Sequence, residues 1–561
     1  MAAAAPSGAI PVIVLKEGSQ RVRGREAQRN NITAAKLVSE LIRTTLGPRG
    51  MDKMLVTSLG DVTITNDGAS IMKDLDVQHP AAKMMVEVAK AQDNEVGDGT
   101  TTAVVLAGEL LAKAEKLLDQ GIHPSVIVEG YKKAAEKALE ELEKIALTVE
   151  PEDTEKLKHI AVTAMRSKGV SVARDHLAAL AVEAIRQIAE VRDGRWKADV
   201  DLVKVLKKHG KSLLESELVK GVVVDKEVAH PQMPKRVENA RIALLNQKLE
   251  IEKTEMSAEI RINTPEQMKQ FLDEETKILR EMVEKIAASG ANVLFCEKGI
   301  DDIALHYLAR KGILGVKNVS SSDMEKLSKA TGAKIVNNID DLTADFLGAA
   351  RIVEEVKIGD SKLVYVRECQ NPRAVTVVLR GGSEHVVSEA ERTFHDALCV
   401  VRNAVEDRKF VAGGGAPESE LASRLREYAA QVGGREQLAI EAYAAALESI
   451  PETLAENAGY DPIDITTELR SKHADKGGVW YGVDVFTGRV TDMLKLNVLE
   501  PLRVKVNVIK SATEAASMIL RIDDVVIAKA FKEEKKEKGK GAAGEGGEGE
   551  GEKPPGGEFE Y

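Results

Sequence analysis

Residues 95–102 read Glu95-Val96-Gly97-Asp98-Gly99-Thr100-Thr101-Thr102 and stand between two segments with helical apolar spacing. Before them, residues 80–94 carry Met84, Met85, Val88 and Ala89. After them, residues 103–120 carry Leu106, Leu110, Leu111, Ala114, Leu117 and Leu118, the recurrence of one helix face. Gly121 supplies a stop for the second helix. The Gly-Asp-Gly-Thr-Thr-Thr run therefore opens a helix. Free amides at a helix start bind anions, and the helix dipole favours negative charge there. Gly97 and Gly99 let the backbone approach a ligand closely, and three threonine hydroxyls add donors. A carboxylate such as Asp98 repels phosphate unless a divalent cation lies between them, the usual part of Mg²⁺ in phosphate sites. The stretch reads as a cradle for a magnesium-bound phosphate, or else as an ordinary Asp/Thr helix cap.

It is not the common phosphate loop. Gly210-Lys211-Ser212 has the ending of one, but Val205 stands where the earlier glycine is required, so these residues read as a turn. A chain of 561 residues implies about three or four domains at roughly 150 residues each. Apolar content of 43% and charged content of 30% describe a soluble globular protein. Cys296, Cys369 and Cys399 are far apart and lack metal-ligand spacing. They read as core thiols in a reducing compartment, the cytoplasm. No apolar run reaches the roughly 18 residues of a membrane span, and Met1–Ala5 is too short and uncharged for a signal peptide. A net charge of −11 argues against nucleic acid as the main partner.

Along the chain, residues 10–15 read as a short strand and 32–45 as a helix stopped by Gly47-Pro48. Residues 54–56 and 62–65 flank a turn and suggest a hairpin. It leads into Asn66-Asp67-Gly68, a tight turn by default, although a carboxylate at a strand tip can also orient a water. Residues 131–146 are helical, the character changes near Val149-Glu150-Pro151, and 152–214 read as helical again, with Thr163-Ala164-Met165-Arg166-Ser167-Lys168-Gly169 inside. Thr264-Pro265-Glu266-Gln267 is a capping-box signature with proline at the first helical position. The helix after it places Met268, Phe271, Leu272, Ile278, Leu279, Met282, Val283 and Ile286 on one face. Its second half reads as packed on its own domain. Its first half, with Met256, Ile260 and Ile262 just before, reads as an adaptable apolar binding surface among charges.

Residues 291–336 alternate strand and helix, an α/β unit. A strand at 374–379 precedes a helix over 383–406 that carries His395-Asp396-Ala397-Leu398-Cys399. A lone carboxylate such as Asp396 on an apolar helix stretch needs a partner or a task. Gly413-Gly414-Gly415 lies between helices and permits close approach to a flat ligand, or else is a flexible loop. Helices fill 418–458 and 504–522, and 524–528 is a final strand. Residues 532–561 are Lys/Glu and then Gly/Glu/Pro, a composition that reads as disordered.

Five motifs converge on one family: Thr45-Leu46-Gly47-Pro48-Arg49-Gly50, Thr65-Asn66-Asp67-Gly68, Gly97-Asp98-Gly99-Thr100-Thr101-Thr102, His395-Asp396-Ala397-Leu398 and Ala412-Gly413-Gly414-Gly415. Their order and spacing over residues 10–531 resemble those of chaperonin subunits, in particular the group II chaperonins of archaea and the eukaryotic cytosol. The 250–286 stretch resembles the helical protrusion that serves there as a built-in lid. Asn66 stands where the bacterial group usually has lysine. The acidic Gly/Glu tail is more like that of archaeal thermosome subunits, and the Gly-Gly-Met tail of the bacterial group is missing.

The resemblance implies a multidomain chain in nested order. A mainly α-helical equatorial ATPase domain would come from residues 1–149 and 404–531. An α+β intermediate domain would come from 150–216 and 371–403, and an α/β apical domain with the protrusion from 217–370. Composition shifts near 150, 216, 371 and 404 agree with that nesting. It also implies ATP and Mg²⁺ as ligands. Thr45, Leu46, Gly47 and Pro48 match the turn at the nucleotide phosphates, and Gly99, Thr100, Thr101 and Thr102 the phosphate-binding helix start. Asp98 matches the Mg²⁺ ligand, and Asp67 and Asp396 the carboxylates that position and activate water. Gly414 and Gly415 match the strip against the nucleoside, Glu500 the ribose-binding acid, and Lys168 a lysine that senses the terminal phosphate. Arg166 departs from the small or polar residue usual there. The partners implied are unfolded polypeptides, with Met256, Ile260, Met268, Phe271 and Leu272 as their surface, and sister subunits in a double ring. Residues 10–15 and 524–528 are candidates for strand pairing between subunits. A holding assembly without productive turnover is the competing reading.

Overall fold

A computed structural model gives the architecture of residues 20–56, 60, 62–75, 77–168, 172–251, 264–369, 372–475 and 477–527. At the centre of one part lies the helix Thr100–Asp119. It is apolar on nearly every side, and Ala103, Val104, Val105, Leu106, Leu110 and Leu111 are fully buried. A helix of that composition has to be covered all round. The helices Arg25–Arg43, Pro80–Val96, Gly434–Leu447 and Leu502–Leu520 cover it. The approach is close at Gly108, where a Cβ would lie 2.3 Å from the Cβ of Ser39. Tyr131, on the helix Pro124–Ile145, donates its hydroxyl to the Leu110 carbonyl at 2.8 Å and meets Tyr443 edge to face.

This core is assembled from both ends of the chain. The strand Lys409–Ala412 pairs antiparallel with Leu499–Pro501 on one side and Leu147–Thr148 on the other. Gln20–Arg23 pairs antiparallel with Asp524–Ile527. The helices Thr154–Met165 and Arg174–Ile188 pack on the long helix Glu384–Asp407. Beside them, Val203–His209 runs parallel to Val375–Gly381, which also pairs antiparallel with Glu217–Val219.

The chain between those strands forms a seven-stranded mixed sheet with the helices Pro265–Ala288, Asp302–Arg310 and Ser321–Thr331. Val222, Leu244, Phe295, Leu308 and Leu327 belong to its own apolar core, separate from that around the Thr100 helix. The fold is thus multidomain, with a mainly helical part, a small α+β part and an α/β part.

Several local expectations need correction. Asn66-Asp67-Gly68 is not a free turn. Asp67 caps the helix Gly68–Asp74, its Oδ2 accepting the Ser70 amide at 2.9 Å. Helical structure after residue 152 ends at Ile188, and a hairpin of Glu190–Arg192 and Arg195–Lys197 follows. Its two-residue turn is Asp193-Gly194, at φ 52° and 76°, a pairing whose positive φ angles favour such a turn. The glycine run 413–415 lies between a strand and the helix Ala416–Val432 rather than between helices. The helix Pro462–Ala474 follows, started by Asp461, whose side chain accepts the Ile463 and Asp464 amides. On the Pro265 helix, Leu279, Val283 and Ile286 are buried, but Ile278 is exposed along with Met268, Phe271 and Leu272. Asp524–Ile527 has a partner strand in its own chain. Residues 10–15, most of the 58–61 turn, Met256, Ile260, Ile262 and 532–561 lie outside the described residues.

Because the Arg25 and Thr100 helices meet at Gly108 with no room for a side chain, Gly108→Val should cost about 1–3 kcal/mol through overpacking. Thermal unfolding of the variant should show a lowered midpoint; an unchanged midpoint would mean the two helices can part without cost.

Candidate functional site

The Thr100 helix begins in a cleft, and its start is unusual. Its N-cap residue is Gly99, in the left-handed region at φ 77°, and no side chain caps the first turn. Asp98 instead turns back, its Oδ1 accepting the Gly99 amide at 2.7 Å. The loop is braced from behind: Gln92 Nε2 donates to the Asp98 carbonyl at 2.8 Å, and Asn507 Nδ2 donates to Gln92 Oε1 at 2.9 Å. The ordinary Asp/Thr cap is therefore excluded, and the first-turn amides are left for an anion.

Distant segments line the same cleft: Thr45, Leu46, Gly47 and Pro48; Asp67; Asp98, Gly99, Thr100, Thr101 and Thr102; Lys168; Gly414 and Gly415; and Glu500. These are the nucleotide-site residues expected from sequence, except Asp396. That residue sits directly behind, buried and ion-paired with Lys168. Lys168 Nζ also lies 3.8 Å from Asp67 Oδ1. Met268, Phe271 and Leu272 belong to the α/β part and do not line the cleft.

Two carboxylates therefore share one ammonium, and a third, Asp98, adds its charge from nearby. Burial opposes charge on Lys168, but Asp396, Asp67 and Asp98 together outweigh it and push the lysine above its ordinary range. Asp67 is also buried, yet Lys168 and the Ser70 amide hold it below the usual carboxylate range. Burial pushes Asp98 up, with Lys168 and the Gly99 amide opposing. Asp396 is pushed well above 3.8 by burial, Lys168 opposing while Asp67 and Asp98 add like charge. The site thus holds one carboxylate kept ionised, Asp67, and two made more basic than usual, Asp98 and Asp396, a division suited to orienting and deprotonating a water.

Asp396 is held close by its helix. Asn403 Nδ2 donates to the Val96 carbonyl at 2.9 Å, and Arg402 donates to the Glu95 carbonyl at 3.0 Å. A Cβ on Gly97 would lie 2.3 Å from the Cβ of Cys399. The Glu384–Asp407 helix therefore rests on the turn that opens the Thr100 helix. Asn66 joins the two parts again, donating from Nδ2 to the Ser167 carbonyl.

The glycine strip is ordered, not loose. Val483 N donates to the Gly414 carbonyl at 2.9 Å, and a Cβ on Gly414 would lie 2.7 Å from Met493 Sδ. Sequence spacing does not single out the apolar wall beside it, formed by Ile450, Leu454, Val483, Val485, Met493 and Leu496. Nothing distinguishes such residues from ordinary core until the fold turns them toward a cleft. Glu418 and Lys505 are likewise absent from the motif reading, although Glu418 lies only three residues after the glycine run. The cleft is shaped for a flat apolar group at one end and an anion at the other. No cluster of three or more His, Cys, Asp or Glu arranged for a metal occurs among the described residues. Asp98 stands as a single acidic side chain beside the open first-turn amides, a pattern compatible with magnesium held jointly with substrate phosphates. No described helix is long and apolar enough to cross a membrane.

The sequence model of the TCP-1/cpn60 chaperonin family matches residues 38–530. Thermosome subunit alpha of Archaeoglobus fulgidus is 58% identical over 529 residues, 94% of this chain and 97% of its own. A thermosome subunit of Methanopyrus kandleri is 60% identical over 518 residues, 92% of this chain and 95% of its own. Among solved structures, an open-state monomer of a group II chaperonin from Methanococcoides burtonii is 48% identical, with a TM-score of 0.58, covering 76% of this chain and all of that one. The chain belongs to the TCP-1/cpn60 chaperonin family, in the group II branch alongside the archaeal thermosome subunits, and is an ATP-dependent chaperonin subunit.

Proposed function

We propose that this subunit hydrolyses ATP in the cleft and uses the cycle to close a folding chamber over unfolded polypeptides. The observation that carries the reading is the pairing of Lys168 with Asp396 and Asp67 beside the Asp98 helix start, at one cleft. The phosphates would lie on the amides of residues 99–102 and against the Thr45–Pro48 turn, the nucleoside against Gly414, Gly415 and the apolar wall, and the ribose at Glu500. Asp98 would hold Mg²⁺, which when bound screens the phosphate charge and polarises the terminal phosphate. Asp67, kept ionised, orients the attacking water, and Asp396 takes its proton.

The division of labour follows the chain. Asp67 and Asp98 belong to the equatorial segments, 1–149 and 404–531. Lys168 and Asp396 belong to the intermediate segments, 150–216 and 371–403. The apical segment, 217–370, carries the protrusion. Catalysis therefore requires the intermediate domain to sit down on the equatorial one, a lid-type gate. Lys168 couples the two, because an arriving terminal phosphate competes with the carboxylates for its ammonium. Exposed Met268, Phe271 and Leu272 would hold apolar segments of clients or of neighbouring protrusions. Subunits would assemble in stacked rings, in the cytoplasm.

Three outcomes test this. Asp396→Asn in the purified assembly should lower ATP turnover about 10²–10⁴-fold while nucleotide binding is retained; turnover within twofold of the parent would sink the proposal. Lys168→Met strands three carboxylates, and breaking a buried pair costs about 3–5 kcal/mol. Without the lysine Asp67 loses what holds it down, and Asp98 and Asp396, already raised, rise further above their unfolded values, so proton uptake relieves the penalty and stability increases as pH falls. The thermal midpoint of Lys168→Met should thus be higher at pH 6 than at pH 8, and the gap to the parent protein should narrow; a pH-independent gap would contradict the role given to Lys168. Phe271→Ser with Leu272→Ser should reduce retention of unfolded protein and protease resistance of the closed state with ATP binding near normal. Unchanged retention and resistance would remove the protrusion from the reading.

A further inference from the structure

Behind the glycine strip, two more acids share a second lysine. Lys505 Nζ lies 2.8 Å from Glu418 Oε1 and 2.7 Å from Glu500 Oε2. Glu418 and Lys505 are 5% and 6% exposed, while the Glu500 side chain, 23% exposed, reaches out of this buried pair. The members of this triad come from three elements that converge on the cleft: Glu418 from the first turn of Ala416–Val432, Glu500 from the strand Leu499–Pro501, and Lys505 from the first turn of Leu502–Leu520.

The geometry assigns each member a different task. Glu500 and Lys505 both reach the cleft lining, whereas Glu418 does not. Lys505 takes Oε2 of Glu500, leaving Oε1 on the Gly413 side, where a Cβ on Gly413 would lie 2.6 Å from that oxygen. The glycine makes room for the carboxylate beside the strip. Glu418 pairs with the same ammonium through Oε1, and its own Oε2 is buried without a hydrogen-bond partner. A buried orphan acceptor and an excess of one negative charge both cost stability. Apolar side chains of similar volume would fill the space without that cost, so the arrangement is explained by what it does for Glu500.

We propose that Lys505, anchored by Glu418, is a positioning residue that fixes the rotamer of Glu500 so that its free oxygen accepts the hydroxyls of the nucleotide sugar. The proposal rests on the reading of Glu500 as the ribose acid and adds the residues that make it selective. An unanchored carboxylate would be free to turn away or hydrate, and the cleft would then bind the phosphates and base without reading the sugar.

The experiment compares ATP with 2′,3′-dideoxy-ATP, which lacks both hydroxyls, by the ratio of their dissociation constants on the assembled protein. Hydrogen bonds to a charged group set the expected parent ratio at about 10-fold or more in favour of ATP. Glu500→Gln, which removes the charged acceptor, and Lys505→Met, which leaves Glu500 intact, should both bring the ratio down to about 3-fold or less. If Glu500→Gln keeps the parent ratio, the ribose reading of Glu500 is wrong. If Glu500→Gln loses it and Lys505→Met keeps it, that reading stands and the positioning role is overturned. Should Lys505→Met not assemble because two acids are left stranded, Glu418→Met with Lys505→Met removes the ion pair together and replaces it with apolar volume. The same loss of discrimination is expected there, and its retention rejects the proposal equally.

Discussion

One ammonium with three carboxylates around it holds the cleft in its observed form. Lys168 is buried with Asp396 against it and Asp67 3.8 Å away, and Asp98 adds its charge from the Thr100 helix start. None of the four would be tolerable alone in that setting, since an unpaired buried charge is expensive. The arrangement draws together a hairpin end, a helix start, a loop after Thr154–Met165 and the middle of Glu384–Asp407. It is stable only as a set, and it contains one more negative than positive charge for each additional acid that stays ionised. Such a cluster is poised to exchange partners when another multivalent ion enters.

Much of this was legible in the amino-acid order. Gly97-Asp98-Gly99 followed by threonines announces a helix start with open amides, because no other residue pair so readily takes the left-handed angles found at both glycines. Gly47-Pro48 announces the end of the first helix for an equally local reason. The pairing of Asp67 with Asp396 was not legible from spacing. The two are separated by over three hundred positions, and only family resemblance links them. Asp67 itself was misjudged locally: Asp-Gly suits a turn, but the Ser70 amide three residues on makes it a cap. The hairpin at Asp193-Gly194 shows the reverse error, where charged helix-favouring residues masked a strong turn signal.

The apolar wall and the Lys505 triad escaped for a different reason. Leu454, Val485 and Met493 are chemically ordinary, and their role comes from which way the surrounding elements face. Glu418 and Lys505 lie on amphipathic helices where charged residues normally point to water. Their burial follows from three elements starting at one place, a fact of tertiary geometry. The cleft is thus written partly in local motifs and partly in the packing of helix beginnings around it.

The helix that fills the centre of the larger core has a consequence for how the molecule comes into being. Its walls include Arg25–Arg43 and Pro80–Val96, made early, and Leu502–Leu520, made almost last. At ordinary rates of synthesis the stretch from Asp119 to Leu502 takes roughly 20–80 s to emerge. During that interval Leu106, Leu110 and Leu111 lack one of their permanent neighbours. The α/β part, whose core is continuous in sequence, has no such wait. A ribosome making this protein therefore carries a finished inner module while the helical module with the cleft remains open to wrong partners, so the nascent subunit is itself in need of the protection its relatives' assemblies are named for.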